Sequence, residues 1–583
     1  MKSLVFDIET DGLQPTKIFC ISAFDTDTEE QFNFSPFYID DGIELLKSAD
    51  KLIGHNIIGF DIPVIKRLCN VDLIDKTLVD TLVLSRLFNP IRGSHSLESW
   101  GYKLQFPKIE FHDYSGYSEE MMTYCAQDVL LNYKVYEELK RESRGFTTES
   151  VKLEMATYKI VTKQRDHGFL LDEDLANQLL TQFSDELTRT ESEVHERFKP
   201  KIHERIVYPQ HTFSGVLRKM GIDKDGKQVR LSNEEHNKFE SLGYTEIIRT
   251  AEEDFNLSSR QQIGTYLKEF GWKPKVFTPT GQPKVDEKIL STVKGIPEAA
   301  LISTYLMLQK RIAQVQSWLS FSDGKRVHGS VISNGTITGR MAHRDPNMAQ
   351  IPSVTSPYGT ECRSCWTVPR GYKLVGIDAS GLELRMLAHY LEDKEFINDI
   401  LNGDIHTANQ ARAGLQSRSQ AKTFIYAFLY GAGDAKIGSV VGGNKQEGKR
   451  VKQSFLNNFP SLKSLRNRIT REAEHKGFIK ALDGRKIFIR SSHAALNSLL
   501  QGAGAIIMKR ALIILDDKIA SSKIDATIVA NVHDEWQIET WQDDADKLGS
   551  LAVDSIIEAG LYYDLKCPMD AQYKIGDNWS DTH

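Results

Sequence analysis

Residues 418–431, RSQAKTFIYAFLYG, repeat a charged or aromatic side chain at every fourth position: Arg418, Lys422, Tyr426 and Tyr430, then Gly431. A step of four is helical spacing, because each next side chain lies only about 40° round the axis. One face of the predicted helix therefore carries two cations and then two phenol rings. Cations meet phosphate oxygens, and rings stack on bases or sugars. Such a face matches a nucleoside triphosphate laid lengthwise. An ordinary amphipathic helix with solvated Arg and Lys has the same spacing, so the neighbouring sequence decides between the two.

The charge around this segment favours a polyanion. Residues 405–492 hold 17 Lys and Arg against 5 Asp and Glu, whereas residues 1–130 hold 11 against 21. The net charge of −6 hides that division. A basic module beside an acidic one fits a nucleic acid held by one part of the chain. A length of 583 residues predicts roughly three to five domains. No apolar run approaches the roughly 20 residues of a membrane span. The start, MKSLVFDIET, has acids inside its apolar run and reads as a strand, not a signal peptide. Six cysteines in so long a chain make no disulfide framework, and a reducing cytoplasm is the default expectation. Cys362 and Cys365 form one CxxC without a second pair at zinc spacing, and are read as reduced thiols.

Two sets of acids carry the candidate chemistry. In SLVFDIET, Asp7 and Glu9 lie two apart on a predicted strand and so share a face. Asp61 follows the polar turn of GHNIIGFD. In YCAQD, Tyr124 and Asp128 lie four apart on a predicted helix. Four carboxylates brought together repel unless cations neutralise them, and hard oxygen ligands suit Mg²⁺, with Mn²⁺ as a substitute. Two such ions support phosphodiester hydrolysis, with Tyr124 placed to orient the water. His55 and Asn56 read as structural or substrate-positioning.

The second set is C-terminal. LVGIDASGLELRMLAHY begins as a strand and turns helical, with Asp378 at the strand's end. ATIVANVHDEWQIE reads as two strands joined at His533-Asp534-Glu535. If these strands share a sheet, Asp378 and Asp534 can hold two divalent ions between them. One would activate a 3′-hydroxyl and the other a triphosphate and its pyrophosphate leaving group.

The ordered set DIE, HN…FD and YxxxD resembles the DEDD exonucleases with Tyr in the last motif, over about residues 1–145. DASGLELR, RSQAKTFIYAFLYG and VHDE resemble motifs A, B and C of the family A DNA polymerases. HGSVISNGTITGRMAHRDPNMAQIP, GDIHTANQ, LDGRKIFIRSSHAALNSLLQGAGA and NWSDTH extend the likeness over almost the whole chain. The chain resembles the replicative enzymes of T-seven-like short-tailed bacteriophages. The resemblance implies an α/β multidomain protein. An RNase H-like 3′-5′ exonuclease would precede a right-hand polymerase of palm, fingers and thumb. It also implies roles. Asp378 and Asp534 would bind metal with the carbonyl of Ala379, and Glu383 would exclude a 2′-hydroxyl. His406, Arg418 and Lys422 would contact the triphosphate. Tyr426 would pack on the incoming sugar, and Tyr430 would stack near the templating base. Arg340, Asn497, Gln501 and His533 would read the minor groove.

The same resemblance sets the expected organisation. Residues 1–145 form the exonuclease, 146–171 a connector and 172–325 the thumb, with an insertion at about 200–254. The palm takes 326–404 and 493–583, and the fingers 405–492. Primer-template DNA and dNTPs are the implied partners, in the cytoplasm of an infected bacterial host. A contact with a helicase-primase is left open. So is host thioredoxin, which binds an insertion at this place in the phage relative. Here the insertion is shorter and gives no residue-level match; its charge is 9 basic against 10 acidic over 200–254. A nuclease-dominated repair enzyme and a non-catalytic DNA-binding relative are the competing readings.

Overall fold

The structure, a computed structural model, describes residues 2–583 apart from the side chain of His203. The chain divides into two compact units, Met1–Glu173 with Ser317–His583, and Asp174–Gln316.

The N-terminal body of the first unit is built on β1 (Ser3–Thr10), β2 (Ile18–Asp25), β3 (Gln31–Phe34), β4 (Lys51–Gly54) and β5 (Thr77–Asp80). They form one sheet in the order β3-β2-β1-β4-β5, antiparallel on the β2 side of β1 and parallel on the β4 side. The central strand is buried on both faces, as its near-continuous apolar run requires. Helix α1 (Asp61–Cys69) follows β4, and α2 (Glu119–Glu142) packs on β1 and β2. Leu4, Phe6, Ile21, Leu52, Ile57 and Trp100 belong to the core beneath.

One buried acid shapes this body. The Asp80 carboxylate accepts the backbone N–H groups of Asn56, Ile58, Leu82 and Val83 at 3.0–3.3 Å. It caps the helix Thr81–Phe88 and ties the turn ahead of Asp61 to the sheet. His55 bonds Thr81 Oγ1 at 2.9 Å, and Asn56 Oδ1 accepts from Tyr158 at 2.7 Å. Both residues serve that turn.

Helix α3 (Thr148–His167) leads from this body to the C-terminal body of the same unit. The second unit contains most of the long helices α4 (Glu173–Arg197) and α5 (Pro297–Ser320). Phe198, Phe255, Tyr266, Trp272 and Ile302 fill its core. Its insertion folds as a sheet of β6 (Lys201–His211), β7 (Leu217–Asp223), β8 (Gln228–Arg230) and β9 (Ile247–Glu253), in the order β9-β6-β7-β8. The helix Asn233–Glu240 completes it, opened by a capping box between Ser232 and Glu235.

The C-terminal body carries β10 (Tyr372–Ala379), β13 (Ala526–Val532), β14 (Glu535–Trp541) and β15 (Ala571–Gly576), between which the chain forms a small hairpin, β11 (Phe478–Lys480) and β12 (Lys486–Phe488). The four-stranded sheet runs β13-β14-β10-β15, antiparallel throughout. Helix α6 (Leu382–Leu391) leaves β10, while α7 (Ile405–Ala413) and α8 (Arg418–Leu429) precede the hairpin. Helix α9 (Ala495–Ser522) packs against α3 and the helix Ala545–Tyr562. By length and composition α9 is apolar enough to cross a membrane, which the sequence reading did not expect; 67% of that apolar window lies buried in the protein, as in a core helix.

Where α3, the β11–β12 turn and α9 meet, four charges are buried. The Glu154 carboxylate accepts from Arg485 and Lys509, each at 2.5 Å, and Arg485 Nε donates to Asp483 at 2.8 Å. Burial alone would raise the Glu154 carboxyl, but Lys509 and Arg485 outweigh it and hold the group anionic.

Asp80→Ala would leave several buried N–H groups without an acceptor. The expected loss at this corner is about 1–3 kcal/mol, read as faster native-state hydrogen exchange over residues 54–62. Unchanged protection there would show the carboxylate to be dispensable.

Candidate functional site

Two separate carboxylate clusters occupy the first unit. In the N-terminal body, Asp7 and Glu9 lie on β1 with their carboxylates toward α2. Ligand atoms of Asp7, Glu9 and Cys125 fall within 4.8 Å of one another. Among the described residues this is the single His, Cys, Asp or Glu group at metal-binding spacing. Asp61 and Asp128 stand outside that tight trio. Asp61 opens α1 and accepts the Ile8 N–H at 3.3 Å. Asp128, on α2, is paired with Lys108 at 2.5 Å, and Lys108 Nζ also reaches the Tyr124 hydroxyl at 2.7 Å. Tyr124 is further held by stacking on Phe111, with centroids 5.3 Å apart.

The electrostatics of this cluster ask for cations. Burial, then Asp61, Glu9 and Asp128, push the Asp7 carboxyl well up. Burial and Asp128 push Glu9 up to about 8, and burial pushes Asp61 up to about 7. Asp128 Oδ1 is buried with no hydrogen-bond partner. Raised acids together with an orphaned oxygen fit a divalent ion. The Lys108 ammonium supplies part of the missing positive charge. It lies in the irregular stretch before α2, and its sequence surroundings carry no signal of that role.

The C-terminal cluster is set by strand register. Asp378 on β10 pairs with Glu535 on β14, and the Ala379 N–H donates to the Asp534 carbonyl at 3.1 Å. Asp378 and Asp534 therefore meet at one end of the same antiparallel pair. Burial, then Asp534 and Glu535, push the Asp378 carboxyl up to about 6, while burial and Glu383 raise Asp534. Among the described residues no Lys or Arg forms an ion pair with either carboxylate. A donor set of hard oxygens without a paired Lys or Arg fits divalent cations.

The other candidates gather at this end. Glu383, in the first turn of α6, accepts from Arg340 at 2.9 Å and from the Tyr430 hydroxyl at 3.0 Å. Helix α8 presents Arg418, Lys422 and Tyr426, and Tyr430 falls just beyond it as the C-cap, with Gly431 left-handed at φ 73°. Burial, then Glu383, Asp534 and Asp378, raise the Tyr426 phenol, as expected for a ring facing all three acids. Arg418 pairs with Asp404 at 2.5 Å, and Asp404 caps α7 ahead of His406. The His406 and Tyr426 ring centroids are 6.3 Å apart, and His406 Nδ1 is buried without a partner. Asp404 escaped the sequence reading, although an acid just before a helix is a recognisable cap.

His533 and Arg340 line one small cavity with Asn531, Gly504 and Lys509. Asn497 and Gln501 lie one turn apart on α9. Asn497 faces a cavity of about 470 Å³ that Gly431, Lys449, Lys452, Arg466 and His493 also line. A Cβ on Gly502 would sit 3.4 Å from the Thr338 carbonyl, so this part of α9 lies against the loop that ends at Arg340. His583 lies beside Glu535, its Nδ1 3.5 Å from the carboxylate. Cys362 and Cys365 are buried reduced thiols.

Comparison with known proteins follows the same division. A family model described as DNA polymerase family A matches residues 227–581, and one described as 3'-5' exonuclease matches residues 1–144. The DNA-directed DNA polymerases of Enterobacteria phage T3 and Escherichia phage T7 are each 33% identical to this chain, over 100% of both chains. DNA polymerase I of Pseudomonas aeruginosa is 27% identical over 57% of this chain and 39% of its own length. Among solved structures, the POL domain of Pol1 from M. smegmatis, in complex with DNA primer-template and dNTP, superposes with a TM-score of 0.77. That match has 17% identity over 100% of this chain and 96% of that one.

The raised carboxyls fix a pH dependence. Acids whose folded pKa exceeds the unfolded value bind more protons when folded, so their contribution to stability is present at low pH and lost as pH rises. For Glu9 and Asp61 that window runs from about 4 to about 8. Metal-free protein is expected to lose stability across it, and Mg²⁺ to restore it with an affinity that rises with pH. Calorimetry in two buffers would register the protons released on binding. Metal binding without proton release would contradict the raised carboxyls.

Proposed function

This chain belongs to DNA polymerase family A and is a DNA-directed DNA polymerase with a 3'-5' exonuclease domain, and we propose that its two carboxylate clusters are the separate sites of those two activities. In this family the polymerase and exonuclease domains are generally dependent on divalent metal. The pairing of Asp378 with Glu535, which brings Asp534 alongside, is the observation that carries the assignment of the polymerase site.

In the polymerase, Asp378, Asp534 and the Ala379 carbonyl would hold two Mg²⁺, for which Mn²⁺ substitutes. Divalent ions held there would supply a lowered pKa for a primer 3′-hydroxyl and positive charge beside the triphosphate. The chain's own groups do the rest. Arg418, Lys422 and His406 grip the triphosphate, and Arg418 is pre-aimed by Asp404. Lys422 is the general-acid candidate for the departing pyrophosphate. Tyr426 packs on the sugar, and Glu383, fixed by Arg340 and Tyr430, closes the space a 2′-hydroxyl would need. Tyr430 covers the templating base. Arg340, Asn497, Gln501 and His533 address minor-groove acceptors shared by all correct pairs.

In the exonuclease, Asp7, Glu9, Asp61 and Asp128 would hold a second pair of ions, and Tyr124 would orient the attacking water. Lys108 keeps Tyr124 and Asp128 in register. In domain terms, residues 1–145 are the proofreading module, 146–171 the connector and 172–325 the thumb with its insertion. Residues 326–404 with 493–583 are the palm, and 405–492 the fingers. Primer-template DNA and dNTPs are the partners, in the cytoplasm of a phage-infected bacterium. A helicase-primase partner agrees with a replicative role.

Separate sites predict separable losses. Asp534→Ala should abolish primer extension and spare degradation of a single strand, while Asp7→Ala with Glu9→Ala should do the reverse. Loss of both activities in either variant would refute two independent sites. The insertion poses a further question, because it folds as a compact sheet with its own core of Val207, Val229, Leu231 and Phe239. If it takes host thioredoxin, adding thioredoxin should lengthen the product made per binding event, and unchanged length would exclude that partner.

A further inference from the structure

The buried charges Glu154, Asp483, Arg485 and Lys509 belong to neither carboxylate cluster, yet they border the polymerase site on two sides. Arg485 Nη1 lies 3.1 Å from where a Cβ on Gly339 would sit, so the guanidinium lies against the backbone just before Arg340. Gly339 is itself left-handed, at φ 79°, and its N–H closes a turn on the Thr336 carbonyl at 3.0 Å. The Gly335 N–H then bonds the Arg340 carbonyl at 3.1 Å. Arg340 leaves this closed turn to meet Glu383 at 2.9 Å. On the other side, Lys509 lines the small cavity shared by Arg340 and His533.

Glu154 joins both sides. It comes from α3, the helix that follows the exonuclease body, and it is fully buried. One oxygen, Oε1, accepts from both Arg485 and Lys509. Asp483 lies two residues before Arg485 and fixes it from the β11–β12 turn. The path from α3 to the gate residue therefore runs through two ion pairs and one closed turn.

We propose that Glu154 is a positioning residue of the polymerase, anchoring through Arg485 the turn that holds Arg340 against Glu383. The role is distinct from generic support. Arg340 and Tyr430 fix Glu383 Oε1, so a shift of the Gly339–Arg340 turn moves the carboxylate that rejects ribonucleotides. Synthesis continues after such a shift, because Asp378 at the end of β10 and Asp534 in the β13–β14 turn are not among the hydrogen-bond partners of the cluster. Selection of the sugar is what degrades. Burial pushes the Lys509 ammonium down to about 8 despite the nearby Glu154, so Lys509 is the member most readily neutralised when Glu154 is lost.

The proposal rests on the reading of Glu383 as the ribose gate, and the experiment separates the two. The full chain would be assayed for kcat/KM with a dNTP and with the matching rNTP, in Glu383→Ala, Glu154→Gln and the double variant Glu154→Gln/Lys509→Met. The double variant removes one buried charge of each sign and leaves Arg485 with Asp483, so it retains charge balance. Every ratio is read well below the variant's melting temperature. Both Glu154 variants are expected to lose roughly ten- to hundredfold in dNTP-over-rNTP preference, while single-strand exonuclease activity stays at the parent level. A double variant that melts like the parent and keeps the parent preference would overturn the proposal, leaving Glu154 a stability residue alone. So would a double variant that cannot fold. An unchanged preference in Glu383→Ala would instead refute the gate itself.

Discussion

Antiparallel pairing of β10 with β14 imposes the central constraint on this protein. It sets Asp378 opposite Glu535 and brings Asp534 to the adjoining turn. Like charges at such separation are unfavourable, and partial burial makes them more so. The surrounding fold is what keeps them together. Trp536 and Ile538 on β14, with Val375 and Ile377 on β10, belong to the core that joins the sheet to the helix Ala545–Tyr562, on which α9 packs in turn. Apolar burial of this kind, at about 25 cal/mol per Å², opposes the repulsion concentrated at the strand ends. The site is thus held in a state that cations relieve.

Around that end, each side chain is aimed by a second. Asp404 aims Arg418, while Arg340 and Tyr430 aim Glu383. Pairs of this sort reduce the rotamer freedom lost when substrate arrives. They also tie down both ends of α8. Its N-terminal turn is tied to the cap of α7, and its C-cap tyrosine is tied to the first turn of α6. A change in either pair would be felt along the whole helix.

Much of this was legible in the sequence, for identifiable reasons. Period-four spacing marked α8 from Arg418 onward, and apolar runs carrying acids marked β1 and β10. The likeness of DASGLELR and VHDE to known motifs joined acids more than 150 residues apart, which no local pattern could do. The folded insertion was not foreseen, because β6–β9 carry few apolar residues and are rich in balanced charge. Lys108 and Asp80 were missed for another reason. Their roles depend on long-range partners, with Lys108 reaching Asp128 from a stretch without periodicity and Asp80 collecting N–H groups from two segments. Tyr430 was placed on the helix face and lies instead at its C-cap, from where its hydroxyl reaches Glu383.

Lys108 separates the two clusters in kind. Its ammonium stands among Asp128, Tyr124 and the acids of β1, whereas no Lys or Arg is paired with Asp378 or Asp534 among the described residues. A resident counter-ion on a tether cannot diffuse away. With no cation bound, the N-terminal cluster keeps the Lys108 ammonium paired with Asp128, while Asp378 and Asp534 have Arg340, His533 and His583 nearby, none of them paired with either acid. The two carboxylate clusters therefore differ in how much negative charge a bound cation has to offset.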